Sequence, residues 1–254
     1  MSLTLTPLPH IPDVQPDDDI PTLIEAALTA AHISLQPADI LVIAQKIVSK
    51  AQNRYVDLNT VTPSPEAIDL APKVNKDPRL ITLILNESQA ISRYRPGVLI
   101  VRHKLGFISA NAGIDRSNVP NQTGQERVLL LPEDPDGDAA RWHKYFTHKA
   151  GGSVPIIIND SHGRPFRLGT VGVAIGSAGL PALWDRRGEP DLYGYTLEHT
   201  EVGLADELAA AASLLMGQAA EGSPVIHIRG YPLPTAPNNP ATTLNRPLHM
   251  DLYR

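Results

Sequence analysis

Two uninterrupted apolar runs constrain the fold of this chain more than any other feature: Ile40–Ala44 (ILVIA) and Val154–Ile158 (VPIII). Both are dominated by β-branched residues and lack polar alternation, so each reads as a strand, the second as a buried one. Helical patterns are interleaved with these and other short strands, without a regular βαβ series. That order predicts a mixed α/β (α+β) architecture. No internal repeat or clean linker interrupts it.

Both runs end in chemistry. Ile40–Ala44 continues into Gln45-Lys46-Ile47-Val48-Ser49-Lys50, a polar strand end with two lysines and a hydroxyl, where nucleotide phosphates can sit. The second run stops at Asn159-Asp160-Ser161. Gly163, Arg164, Arg167 and Gly169 follow, then a strip of small apolar residues to Gly179. Carboxylate and hydroxyl oxygens suit Mg²⁺ or Mn²⁺, and guanidinium forks grip phosphate or carboxylate. A surface turn with a capping Asp and two solvated arginines accounts for the same residues equally well.

A further polar end supports the first reading. Val98–Val101 and Phe107–Ala110 read as paired strands around a turn at Lys104-Leu105-Gly106. The second runs into Asn111-Ala112-Gly113-Ile114-Asp115-Arg116-Ser117-Asn118. Ala112 and Gly113 would let a backbone or ligand approach. Asp115 offers a metal-ligating carboxylate and Asn118 an amide, with an Asx-turn as the plain alternative. Two Asp-bearing strand ends supply one shared cation only if the fold brings them together.

Helix signals punctuate the rest. Asp17-Asp18-Asp19 precedes a helix with Pro21 in its first turn, its acids at the positive end. Ser64-Pro65 and Asp77-Pro78 are N-cap and N1 pairs. Val128–Leu131 reads as a strand, and Pro132–Gly137 as a turn whose Asp134 and Asp136 are turn and cap groups. Asp138 would cap a helix from Ala139 to Ala150, ended by Gly151, with His143 and His148 on the surface. Glu201–Met216, rich in Ala and Leu, is the strongest helical pattern. The small-residue loop Gly217–Ser223 follows it, before a strand at Val225–Ile228. Backbone N–H groups of such a loop can cradle phosphates. Residues 1–230 form the main unit, and 231–254, rich in Pro and Asn, an extended C-terminal arm rather than a packed element.

Composition excludes several classes. There is no cysteine, hence no disulfide, thiolate metal site or Cys nucleophile. A net charge of −5 gives no basic field for nucleic acid. No stretch approaches the roughly 20 apolar residues of a membrane helix, and the N-terminus has no signal-peptide pattern. A cytoplasmic protein is expected. Neither GxxxxGK[ST] nor GxGxxG after a strand is present, so the standard nucleotide folds are not supported.

Five segments together carry a resemblance: ILVIAQKIVSKAQNR, NAGIDRSNV, LLPEDPDGDAARW, IINDSHGRPFRLGTVGVAIGSAG and DLYGYTLEHTEVGLADELAAAASLLMGQAAEGSPV. In order and spacing, from about Pro7 to Arg229, the chain resembles the coenzyme F420-0:L-glutamate ligase family, the F420 γ-glutamyl ligases. The resemblance implies a CofE-like mixed α/β fold in an intertwined homodimer. It also implies a GTP-dependent amide ligase that adds L-glutamate to F420-0 and then to F420-n. Mg²⁺ or Mn²⁺ is implied as the cation, with K⁺ as a stimulating ion.

Motif by motif, it implies Asp115 and Asp160 as catalytic metal ligands, joined by Ser161, where the family usually has Thr, and by Gln218. GTP contacts would fall on Ile11, Pro12, Asp13, Val14, Gln45, Lys46, Lys50 and Asn118. The loop would add Met216, Gly217, Gln218, Ala219, Ala220, Glu221, Gly222 and Ser223. Arg164 and Arg167 are candidates for phosphate or acidic substrate. Some relatives carry an acid at the Gln218 position, so an amide there would weaken one cation site. GQAAEG is also poorer in glycine than the usual loop. The rival expectations are a non-catalytic nucleotide- or F420-binding homologue and a ligase for another acceptor.

Overall fold

A computed structural model describes residues 2–120 and 123–251; the last three positions of the expected C-terminal arm lie outside them. In chain order, β1 (Thr4–Pro7) leads through a loop to α1 (Ile20–Ala30), which is N-capped by Asp19. β2 (Ile40–Ala44) passes directly into α2 (Gln45–Ala51), and β3 (Tyr55–Asp57) follows. α3 (Pro65–Val74) and α4 (Pro78–Asn86) start at Ser64 and Asp77, whose side chains accept from Ala67 N and Arg79 N. Then come β4 (Ser88–Arg95), β5 (Val98–His103), β6 (Ile108–Ala110) and β7 (Arg127–Leu129). α5 (Pro135–Ala150), β8 (Ile156–Arg164) and β9 (Arg167–Ala178) form the middle of the chain. β10 (Trp184–Asp185), β11 (Glu201–Val202), α6 (Leu204–Met216) and β12 (Val225–Arg229) complete the order. The architecture is mixed α/β.

The central sheet has the order β1-β12-β2-β8-β9, with only β2 and β8 parallel. Its two faces explain the apolar runs. Leu41, Ile43, Ile156 and Ile158 pack with α1, α2 and α5 on one side. Ile40, Val42 and Ile157 pack with α6 on the other. A strand covered on both faces has no solvent side on which to alternate. A separate core joins α3 and α4 to the sheet β4-β5-β6 through Leu99 and Val101.

Several sequence expectations are corrected. β8 does not stop at Asn159 but runs on to Arg164, because β9, the small-residue strip, continues the antiparallel ladder beside it. The two form a hairpin whose outer half is exposed, with Pro165-Phe166 as its tip. α5 begins at Pro135 with Asp134 as its cap, accepting from Gly137 N at 3.0 Å; this is again the Asp-Pro start. Asp138 is instead buried and accepts from Gln52 Nε2 at 2.7 Å. His143 is half-buried, its Nδ1 2.8 Å from the Val154 carbonyl, not an ordinary surface histidine. α6 starts at Leu204, since Glu201-Val202 pairs with β10. β4 was missed because its residues are mostly polar and exposed. At Gly113, where φ is +65°, the close approach is by Leu131, whose Cδ1 would lie 2.7 Å from an added Cβ.

The C-terminal stretch is extended in path yet packed. Ala241 is buried, and Ala241 N and Thr242 N donate to the Asp136 carboxylate at 2.8 and 3.1 Å. Asn245 Nδ2 donates to the Leu105 carbonyl at 3.0 Å. These bonds satisfy backbone groups that a free arm would leave to water.

Candidate active site

The fold gathers the polar strand ends into one cleft of ≈ 1380 Å³. Its lining includes the whole predicted set: Ile11–Val14, Gln45, Lys46, Lys50, Asp115, Asn118, Asp160, Ser161, Arg164, Arg167 and Met216–Ser223. The topology is the reason. β2 and β8 run parallel side by side, so Gln45 on α2 and Asp160 on β8 emerge at the same end of the sheet. The loop before β12 reaches that end too, because Ala44 N donates to the Pro224 carbonyl at 2.8 Å.

Asp115 is held by its backbone, which exchanges two hydrogen bonds of 2.9 Å with Leu129. Its Oδ2 accepts from Gln45 Nε2 at 2.9 Å and lies 3.5 Å from Lys46 Nζ. Ser49 donates to Gln45 Oε1 at 3.0 Å, which aims the amide NH₂ at Asp115. Burial pushes the Asp115 carboxyl above the ordinary range; Lys46 opposes this and the charge of Asp160 adds to it. The two carboxylates therefore sense one another across the cleft.

Asp160 has a partner that sequence reasoning missed. His162 Nε2 lies 2.8 Å from Asp160 Oδ2, and the imidazole rests against Phe107 with ring centroids 4.9 Å apart. Once β8 is known to continue, an Asp-x-His spacing puts both side chains on one face; that period was the available signal. The same alternation puts Ser161 on the other face with Asn159. Its cross-strand partner is Gly172, where an added Cβ would meet Asn159 Oδ1 and Ser213 Cβ of α6. Gln218 Nε2 donates to Ser213 Oγ at 3.1 Å. The four predicted ligands thus divide into Asp115 with Asp160, and Ser161 with Gln218 toward α6.

Among the described residues no three His, Cys, Asp or Glu come together as a metal centre. The donors present are carboxylate, hydroxyl and amide oxygens. They fit a hard cation that keeps water or takes phosphate oxygens, and not a cation enclosed by protein ligands.

The nucleotide-side residues are already engaged internally. Lys50, nearly buried, pairs with Asp13 at 2.6 Å. Lys46 Nζ donates to the carbonyl and hydroxyl oxygens of Ser117 at 3.1 and 3.2 Å. Asn118 Nδ2 donates to the Ala219 carbonyl at 3.0 Å, tying this loop to Gly217–Ser223. Within the latter, Glu221 Oε2 accepts from Ala219 N at 2.8 Å. The backbone N–H groups of Ala219, Glu221 and Gln218 hold the Glu221 carboxyl below its usual range. Arg93, Ile100, Ile108 and Thr170 also line the cleft, and none was singled out from sequence.

A mixed α/β chain with a large cleft lined by carboxylates, lysines and an amide-rich loop belongs among enzymes acting on anionic small molecules. The F420-0:Gamma-glutamyl ligase family model matches residues 9–230, and the chain belongs to that family. It is 46% identical over 255 residues to the coenzyme F420:L-glutamate ligase of Methanothermobacter thermautotrophicus, covering 100% of both chains. It is 42% identical over 224 residues to the ligase of that name from Methanocaldococcus jannaschii, covering 88% of each. With that of Methanopyrus kandleri it shares 44% over 229 residues, covering 90% of this chain and 87% of the relative. Among the described residues no helix is long and apolar enough to cross a membrane.

Proposed function

We propose that this chain ligates L-glutamate to coenzyme F420-0, and then to F420-n through γ-linkages, using GTP and Mg²⁺ or Mn²⁺. The observation that carries the reading is the convergence of Asp115 and Asp160 in the cleft that Gly217–Ser223 closes, in a chain of this family. Asp115 and Asp160 would hold the divalent cation, with Ser161 and Gln218 as a separate oxygen pair. Bound there, the cation supplies charge neutralisation for phosphoryl transfer.

The chain's own residues do the rest. The amides of Gly217–Ser223 with Lys46 and Lys50 bind the GTP phosphates, once Lys50 exchanges Asp13 for phosphate oxygen. Gln45 and Lys46 orient Asp115. An acceptor carboxylate oxygen attacks the γ-phosphorus, breaking its bond to the bridging oxygen and releasing GDP. The amine of glutamate attacks the resulting acyl phosphate, loses a proton and expels inorganic phosphate. Arg164 and Arg167 steady the acidic reactants.

K⁺ as a stimulating ion, a cytoplasmic setting and a homodimer belong to the same proposal. The dimer draws on the exposed hairpin tip, where Phe166 and Leu168 are 89% and 97% accessible, an apolar surface suited to a second copy.

Mass spectrometry of a reaction containing F420-0, L-glutamate, GTP and Mn²⁺ tests the reading. Glutamate-sized increments with the wild type, absent with Asp160→Asn, are expected. GTP consumed without an increment means another acceptor; GTP left intact means a binding homologue.

A further inference from the structure

The charges lining the cleft differ in how they are used. At the end near Gly217–Ser223, Lys46, Lys50 and Glu221 all have internal partners. Elsewhere in the lining the arginines Arg93, Arg164 and Arg167 are less engaged. Among the described residues, the side chains of Arg93 and Arg167, both in the cleft lining, have no hydrogen bond or ion pair. Arg164 makes one hydrogen bond, from Nη2 to the Leu168 carbonyl at 3.1 Å, and its Nε is buried with no partner. A buried guanidinium N–H without an acceptor carries a desolvation cost that an anion would remove.

Another part of the lining is one face of the sheet β4-β5-β6. Cross-strand register puts Arg93, Ile100 and Ala110 in one row, with Ile108 two residues from Ala110 on the same face. All four line the cleft. The alternate residues Leu99 and Val101 face the core against α3 and α4, so this face has no covering layer among the described residues. It presents an aliphatic floor edged by a guanidinium group, in the cleft that Arg164 and Arg167 also line. β6 also packs beside β8, so the floor runs up to Asp160.

We infer that this sheet face is the acceptor subsite: Ile100 and Ile108 carry a flat apolar ring system, while Arg93 and Arg164 clamp the anionic chain that ends in the reacting carboxylate. A ligand with both parts matches an apolar floor and guanidinium forks in one cleft better than a free amino acid or a nucleotide phosphate does. This rests on the ligase reading and adds residues to it. Arg93 discriminates the acceptor without contributing to nucleotide binding.

The test is equilibrium titration of F420-0, followed by its fluorescence, and of GTP with Mn²⁺, against wild type, Arg93→Ala, Arg93→Lys and Ile108→Glu. Arg93 and Ile108 are exposed, so the variants fold, as thermal melts would record. Arg93→Ala should weaken F420-0 binding about tenfold or more, the loss of a charge-assisted contact, with GTP affinity within about twofold. Arg93→Lys should recover part of the loss, and Ile108→Glu should weaken F420-0 selectively.

Unchanged F420-0 affinity in Arg93→Ala, or equal loss of both ligands, overturns the subsite. So does a wild type that fails to bind F420-0. A wild type that binds F420-0 through Arg93 yet forms no glutamate adduct overturns the ligase reading alone.

Discussion

His162 Nε2 stands 2.8 Å from Asp160 Oδ2, two residues along the same strand, with Phe107 packed on the imidazole. A histidine in that position fixes which way the carboxylate oxygens point. Asp160 is a proposed metal ligand, and partners behind a metal ligand typically tune metal affinity by about 10–100-fold. In His162→Ala the Mn²⁺ concentration for half-maximal turnover should rise by about that factor, with most of the rate recovered at saturating metal. Metal titrations of initial rate decide it; an unchanged metal dependence would assign His162 to packing only.

The Glu221 carboxylate sits on amides of the loop proposed to receive GTP phosphates. An anion already in that nest competes with the incoming one. Glu221→Ala should therefore bind GTP severalfold more tightly in calorimetric titration. Weaker binding would mean that Glu221 organises the loop and does not block it.

His103 gives stability a pH dependence. Burial, with the charges of Lys104, Arg54 and His162, lowers its pKa to about 4. Its Nδ1 accepts from Leu105 N at 3.0 Å, so the neutral ring is the folded form. The unfolded chain takes up this proton near pH 6.5 and the folded chain only near 4. Stability is full above the unfolded value and falls as pH drops through this window, by about 3 kcal/mol in total. Denaturant titrations between pH 7 and 4 should show that slope. His103→Phe, though less stable at pH 7 for want of the Leu105 acceptor, should show a flatter one.

Gly172 lets α6 lie directly on β9. An added Cβ would meet Asn159 Oδ1 at 2.6 Å and Ser213 Cβ at 2.8 Å. Gly172→Val should cost about 1–3 kcal/mol or more through overpacking, read as a lower midpoint in urea. A stability equal to wild type would show that α6 shifts freely.

The buried strands were legible because Ile40–Ala44 and Ile156–Ile158 are apolar on both faces, and the Pro-led helices because Ser64 and Asp77 cap them as written. The cleft's membership was legible from motifs. Its division was not, since Ser161 and Asp160 are neighbours in sequence, and only a continuing strand turns them apart. That continuation is a property of β9, whose small residues make a ladder but carry no strong strand signal. His162 escaped with it, since its place beside Asp160 needs the same continuation, and Arg93 because its row with Ile100 and Ala110 is set by β5 and β6. The packing of Ala241 was hidden because a Pro- and Asn-rich composition describes solvent affinity, not the Asp136 carboxylate awaiting those amides.

The position of β12 between β1 and β2 has a kinetic meaning. Thr4 pairs with Arg229, and Ile43 with Val225. On the ribosome, the first strand has no sheet to join until residue 229 has emerged, and β2 waits equally long for that neighbour. Such long loop closures slow folding and leave strand edges open meanwhile. The central sheet must therefore close late, with chaperone demand set by the emergence of β12 rather than of β1.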